Sequence, residues 1–488
     1  MAKEAPPVRL DDALDRVGFG RSQIEILIVC SAIMMTIVTE TMGMSIILPA
    51  AKCDLKLGSA DQGLLQGATF LGIVMVSYVC GYLSDTRGRR KIMMYSLYAT
   101  SVCALASSVA NSTVLLLVLR LLAGICISAP SATVFAYLGE FCPPVKRSQI
   151  ISFGSVWGML AMVYVALFGW WVLSYNWVRE ISTEYSFKPW RLLFLVYNLP
   201  GLLSAIALSW LPESPKFYYS AGQTGKALAV LKHCYRRNKG TDIGFLVEKL
   251  EPESIQTAQK KGIFASLWSQ TVPLLKWPMV LYFSAVCLQQ ISAFAAYGGL
   301  GLWYPELMNQ LTNAETELTV CAAVEESFAK KNLMNSTTTE VCSSVIHQST
   351  FIYLMIMGLF GTCCALLSAL LLGKFNPKML GRVNFLLAAI SGILLQFTSN
   401  RYLIIALFCC EIILAGYCMV LINMCSVAIF PTQVRAMAVS LSLMMARLSS
   451  FTFSSIVGFV MEENCAATFY MFSSILAIGV LLSFLLPK

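Results

Sequence analysis

The sequence predicts an all-α membrane protein, with twelve transmembrane helices in two six-helix pseudo-symmetric halves. Three observations carry that prediction. Apolar runs recur twelve times along the 488 residues, each about 20 residues or longer, enough to cross a hydrocarbon core. The polar connections between them alternate between rich and poor in Lys and Arg. Two stretches of the first six runs return, degraded, in the last six.

Composition sets the class. The chain is 57% hydrophobic and 12% charged, whereas soluble domains carry about 25% charge. A soluble protein so apolar has no means of covering its surface, and lipid removes that need. Composition therefore overrides the three soluble domains that length alone would suggest.

Residues 1–22 are polar and mixed in charge, and read as a cytosolic N-terminus. No cleavable signal is read, because the first apolar run, 23–50, exceeds a signal segment in length. The first half, 23–211, continues with spans 61–83, 92–110, 113–139, 149–173 and 191–211. A polar linker, 212–276, follows, and its "GKALAVLKHCYRR" has the spacing of a short amphipathic helix. The second half, 277–486, holds spans 277–303, 349–372, 383–399, 401–427, 436–460 and 466–486, with an outer loop at 304–348.

With both termini inside, the inner segments hold 25 Lys and Arg and the outer segments 8. This fits the positive-inside rule and explains the net charge of +9 without a nucleic-acid partner. Two glycosylation sequons, at Asn111 and Asn335, fall outside. So do Cys53, Cys321, Cys342 and Cys465. A Cys321–Cys342 disulfide is one option in an oxidising compartment, although spacing alone does not fix pairing. The other 13 cysteines read as small apolar packing residues. His233 and His347 lie on opposite sides. No phosphate-binding loop and no zinc spacing occurs, so no enzyme, cofactor or metal is expected.

The repeat is local. "GEFCPPVKRSQ" after span 4 aligns with "VAIFPTQVRAM" after span 10, so Arg435 matches Arg147, Pro431 matches Pro143 and Ala428 replaces Glu140. "GYLSDTRGRRK" after span 2 aligns with "GKFNPKMLGR" after span 8, with Pro377 in place of Asp85.

These residues carry a resemblance. "GYLSDTRGRRK" and "RLLAGICISAP" resemble the loop and fourth-helix motifs of the major facilitator superfamily. "PESPKF" resembles the signature of sugar porters and organic cation transporters. "ILPAAKCDLKL", "FAYLGEFCPPVKR", "YSFKPWRLLFLV" and "YGGLGLWYPELM" are most similar to the synaptic vesicle glycoprotein 2 family and its relatives. From the short loop 304–348 and the stop at Lys488, a relative of that family is expected, not one of the vesicle glycoproteins themselves. The resemblance implies a multi-pass protein of the plasma membrane or an intracellular vesicle, and a monomer. It also implies a cytosolic latch, closed when the protein opens outward. In it Asp85 would sit at the N-terminus of span 11, around Thr432–Ala436, and Arg89 or Arg90 would pair with Glu140. Arg147 and Arg435 complete that gate. With Pro377 and Ala428 replacing acids, the first-half cluster is expected to dominate.

Glu40, Arg120, Glu411 and Arg447 lie within spans, where a charge costs at least about 2.5–3.5 kcal/mol. Such groups face a cavity or a partner. Glu40 and Arg120 are expected to pair, and three readings stay open: a proton-coupling site, a counter-charge for a cationic solute, or a structural ion pair. By resemblance, spans 1, 4, 7 and 10 line the central cavity. Glu411 and Asn423 of span 10 are therefore candidates, as are Gln289, Gln290 and Tyr297 of span 7, with Trp157 and Tyr164 of span 5. Ala293 and Ala295 stand where the sugar-porter pattern has glycine and asparagine. Fewer hydrogen-bond partners and more aromatic faces favour an organic ion over a sugar. Gly298 and Gly299 are expected to break span 7. Two functions remain: a secondary transporter of a small organic solute working by alternating access, with proton coupling one option, or a transporter-shaped, vesicle-type membrane glycoprotein with a binding or trafficking role.

Overall fold

The structure is a computed structural model, and it describes residues 7–175, 177–182, 185–241, 245, 247, 249–251, 271–314, 318–336, 346–371, 376–461 and 463–486. Among these, eleven helices are long and apolar enough to cross a membrane. The twelfth place is filled by Arg89–Ser108, which is too polar to count on composition. Most of its Ser and Thr hydroxyls bond back to the helix itself, and Ser96 donates instead to the Cys126 carbonyl of span 4. Thr100 donates to the Ser96 carbonyl (2.9 Å), Ser101 to Leu97 (3.0 Å) and Ser107 to Cys103 (2.7 Å). A hydroxyl that bonds back to its own helix leaves no unsatisfied polar group for lipid.

The first half contains span 1 (Arg21–Met42 and Met44–Ala51), span 2 (Ser59–Arg87), span 3 (Arg89–Ser108), span 4 (Thr113–Glu140), span 5 (Arg147–Leu173) and span 6 (Pro189–Trp210). The second contains span 7 (Met279–Asn313), span 8 (Gln348–Leu371), span 9 (Pro377–Leu394), span 10 (Arg401–Ile429), span 11 (Thr432–Val460) and span 12 (Cys465–Leu482). A short hairpin, β1 (Arg179–Ser182) with β2 (Tyr185–Phe187), joins spans 5 and 6. Span 7 does not break at its glycines. It winds as a π-helix over Ala295–Leu300 and continues to Asn313. The expected outer loop thus begins as helix and carries a second helix, Val320–Ser336.

One end of the bundle carries the linker, and we call it the linker end. Its helix Thr224–Lys239 buries Ala227, Leu231 and Cys234, as the amphipathic spacing predicted. The N-terminal helix Leu10–Val17 packs beside it. A parallel bridge pairs Val8 with Leu250.

The opposite end carries a disulfide between Cys321 and Cys465. This corrects the Cys321–Cys342 option. The helix that begins at Val320 packs against span 12, which puts Cys321 beside the first residue of that span. Cys53 is also disulfide-bonded. Cys342 lies outside the described residues, as does the Asn335 side chain.

The apolar core shows how the halves meet. At the disulfide end one cluster runs through both, from Met42, Leu48 and Phe194 to Tyr304, Phe408 and Phe472. At the linker end there are two clusters. One holds first-half residues with the N-terminal and linker helices, and the other holds second-half residues from Leu274 to Leu486, with Tyr78 of span 2 packed against it. Spans 2 and 11 approach closely at Gly63 and Gly458. A Cβ at Gly458 would lie 2.6 Å from the Ser59 carbonyl oxygen and 3.2 Å from the Gly63 Cα. Gly458→Val should therefore prevent this contact and cost about 1–3 kcal/mol by overpacking. A lower thermal midpoint of the purified protein is the expected reading, and an unchanged midpoint would contradict the close packing.

Candidate functional site

Glu40 and Arg120 meet inside the first half. Arg120 Nη1 lies 3.0 Å from Glu40 Oε2, and the two side chains are 2% and 3% exposed. Further hydrogen bonds offset the cost of burying an ion pair, and they fill all but Arg120 Nε, which has no partner among the described residues. Here Asn198 Nδ2 of span 6 donates to Glu40 Oε1 (2.8 Å), and Arg120 Nη2 donates to Ser107 Oγ of span 3 (2.6 Å). The Phe194 ring lies 4.8 Å from the guanidinium carbon. Four spans thus converge on one pair. Sequence reasoning paired the two charges but missed Ser107, Asn198 and Phe194, which carry no local signal. Each Glu40 oxygen is thus engaged by a partner from another span.

The span 7 glutamines diverge. Gln290 Nε2 donates to Asn423 Oδ1 of span 10 at 2.8 Å. Gln289 turns away, and its Nε2 donates to the Gly479 carbonyl of span 12 at 3.2 Å. The Tyr297 ring lies against span 10, where a Cβ at Gly416 would come within 2.7 Å of it. Tyr164 faces span 6, donating to the Val196 carbonyl at 2.8 Å. Trp157 is exposed. Glu411 is fully buried and lies by Gly392 of span 9 and Ser473 of span 12. Neither of its oxygens has a hydrogen-bond partner among the described residues. Of the second-half candidates, Gln290, Asn423 and Tyr297 are therefore the ones joined between spans 7 and 10.

At the linker end, Arg89 joins two acids, Glu140 at 2.7 Å and Asp85 at 3.1 Å. Asp85 is exposed. Among the described residues it makes no hydrogen bond or ion pair with the N-terminus of span 11, where the latch reading placed it. Another acid holds a helix N-terminus instead. Glu213 of "PESPKF" accepts from the backbone N–H of Arg90 (2.9 Å) and of Lys91 (3.4 Å), in the first turn of span 3. Free N–H groups and the helix dipole favour an anion there. Gly88, at φ 104°, makes room, since a Cβ would lie 2.6 Å from Glu213 Oε2. Ser214 donates to Glu140. Arg90 does not reach Glu140, because its guanidinium donates to the Leu208 and Ser209 carbonyls (both 2.6 Å). Arg147 pairs with Asp11 of the N-terminal helix at 3.1 Å, and Arg435 donates to the nearby Phe430 carbonyl at 3.2 Å. A crevice of about 770 Å³ opens beside this cluster, lined by Arg9, Asp11, Arg89, Glu140, Arg147 and Lys216.

Hydrogen bonds and ion pairs between the halves are of another kind. Lys52 reaches Glu306 (3.1 Å), Ser454 reaches the Gly63 carbonyl and Gln66 (both 3.3 Å), and Arg447 Nη1 reaches Ser77 Oγ (3.2 Å). Ser77 is the one closest to the linker end. The ten residues of span 2 beyond it cover about 15 Å without another such bond to the second half among the described residues. Asn111, the first sequon, is exposed in the short connection between spans 3 and 4, where its Oδ1 accepts from Arg191 (3.2 Å).

Removing one partner of the Glu40–Arg120 pair leaves a buried unpaired charge and should cost about 3–5 kcal/mol. Arg120→Gln should lower the thermal midpoint more than the double variant Glu40→Gln/Arg120→Gln does. Equal losses would show that the two charges are not coupled.

The family model described as Major Facilitator Superfamily matches residues 28–454. Synaptic vesicle glycoprotein 2B of Mus musculus is 28% identical over 324 residues, 62% of this chain and 47% of that protein. Synaptic vesicle glycoprotein 2A of Rattus norvegicus is 28% identical over 320 residues, 61% and 43% of the respective chains. The aligned part thus spans about half the length of these curated relatives or less. Among solved structures, the partially occluded inward-open xylose transporter XylE from E. coli aligns with a TM-score of 0.66 at 14% identity, covering 96% of this chain and 100% of that one. A D-xylose-proton symporter aligns at 0.62 and 16% identity, covering 96% and 97%. On the family match and the fold together, this multi-pass membrane protein belongs to the Major Facilitator Superfamily.

Proposed function

We propose that the protein is a secondary active transporter of a small organic solute, an organic ion in preference to a sugar, working by alternating access and coupled to protons. The observation that carries this reading is one-sided closure. A single apolar cluster and the Gly63–Gly458 contact seal the halves at the disulfide end, while two separate clusters face each other at the linker end. Rocking two such halves about a midplane site alternates access. The Lys and Arg excess at the linker end supports a cytosolic placement of that end, in which case this conformation opens inward.

Span 7 supports an ion over a sugar. Gln289 is committed to span 12 and Gln290 to Asn423. Ser292 donates to its own helix at the Leu288 carbonyl. Both glutamine amide groups thus engage an N–H within the fold, while their Oε1 atoms have no partner among the described residues, so a sugar hydroxyl, which loses water on entry, finds acceptors here but few donors. The Glu40–Arg120 pair is the coupling element in this reading, because protonating Glu40 would release Arg120 and loosen four spans at once. The loss of acids at Pro377 and Ala428 favours the second reading, a membrane glycoprotein whose role is binding or trafficking.

Uptake into proteoliposomes under an imposed pH gradient tests the proposal, with pooled organic cations, organic anions and sugars. Gradient-driven uptake by the wild type, lost in Glu40→Gln, is expected. No flux from folded, oriented protein would favour the second reading. Asp85→Asn should impair uptake more than Lys378→Ala, and equal effects would remove the first-half cluster from the gate.

A further inference from the structure

Span 2 carries a polar stripe that the reading above leaves unused. Gln62, Gln66 and Thr69 follow at i, i+4 and i+7, so they share one face of the helix. They are 1%, 0% and 0% exposed. Gln62 Nε2, Gln66 Nε2 and Thr69 Oγ1 have no hydrogen-bond partner among the described residues. Buried donors left in this way are uncommon, and three within two turns call for a cause.

The stripe runs beside the seam between the halves at the disulfide end. Gly63 and Gly67 alternate with it along span 2. A Cβ at Gly63 would lie 2.8 Å from the Ser454 carbonyl oxygen of span 11, and one at Gly67 would lie 2.8 Å from the Phe451 ring. Gln66 itself crosses the seam, its Oε1 accepting from Ser454 Oγ at 3.3 Å. Trp303 of span 7 donates to the Ser454 carbonyl at 3.1 Å. Close backbone approach and these bonds hold the seam shut.

The stripe acts the other way. A donor that leaves water and finds no partner raises the free energy of the closed state. Each of the three regains water when spans 2 and 11 part. A seam of glycine contacts and apolar packing alone would stay closed, whereas a gate needs two states separated by a few kcal/mol.

We propose that Gln62, Gln66 and Thr69 form a counterweight built into the disulfide-end gate, whose dehydration on closure keeps the sealed conformation reversible. This rests on the alternating-access part of the transport reading, and not on any particular solute. The three groups are neutral, so the bias they set is present at any pH.

Hydrogen–deuterium exchange of the full chain, read by mass spectrometry of its peptides, tests it. The variants are Thr69→Val, which removes one orphan hydroxyl at constant shape, and Gln66→Met, which leaves Ser454 its bond to the Gly63 carbonyl (3.3 Å). Exchange through opening follows the open population. Each variant should slow exchange in segments 59–70 and 450–458 by about fivefold or more, the scale of one unsatisfied buried group. Exchange in segments 78–87 and 437–446, at the linker end, should rise in the same variants. Gln66→Glu, which adds a charge to the seam, should move both ends in the opposite sense.

A merely structural role predicts faster exchange at both ends after any of these substitutions, and that result overturns the proposal. Unchanged exchange at the disulfide end overturns it too, as does a wild type whose segment 59–70 never exchanges, since a seam that does not open has no counterweight. Should Gln66→Met not fold, Thr69→Val decides alone. No solute is added, so a failure of uptake counts against the transport reading while these rates still judge the gate.

Discussion

A carboxylate and a guanidinium cannot be placed in hydrocarbon separately. Glu40 and Arg120 are placed there together, and the rest of the first half is arranged around that necessity. Span 3 supplies a hydroxyl, span 6 an amide and an aromatic face, and spans 1 and 4 the charges. Each group fills a valence that would otherwise remain open in a medium without water. The pair fixes how four helices are rotated about their axes, which apolar packing alone leaves loose. It is well suited to control because its stability is conditional. Cancelling one charge removes the reason for the arrangement.

The second half is organised differently. Its polar contacts are neutral, Gln290 to Asn423 and Gln289 to a backbone carbonyl. Of its carboxyls, Glu411 is shut between peripheral spans and Glu306 faces Lys52 of the other half. Pseudo-symmetry of the backbone is therefore not matched by symmetry of charge. One half holds a compensated pair, and the other brings Arg447 to the boundary between them.

Much of this was legible in the sequence. Hydrophobic length marked the spans because lipid imposes a minimum on every one, and the structure places a helix over each. Span 3 was legible despite its hydroxyls, since Ser and Thr can bond to their own helix. The Glu40–Arg120 contact was legible because a charge at that depth needs a partner. Ser107 and Asn198 were not, since a hydroxyl or amide in an apolar run has several ways to be satisfied. Of the latch, the Arg89–Glu140 pair was legible too, while the part played by the linker was not. "PESPKF" was read for resemblance alone, while its Glu213 takes the helix N-terminus of span 3 and its Ser214 supports Glu140. Disulfide pairing was illegible, because proximity across 144 residues depends on how the spans pack.

That disulfide alters the connectivity of the molecule. Cys321 and Cys465 close a covalent ring that contains spans 8 to 11. Four membrane helices thus belong to a macrocycle, with span 12 as its exit. A protease that cuts the chain once anywhere inside the ring opens it without releasing a fragment. The two pieces stay one molecule until the bond is reduced, so damage to the exposed connections of this half does not cost it any of its helices.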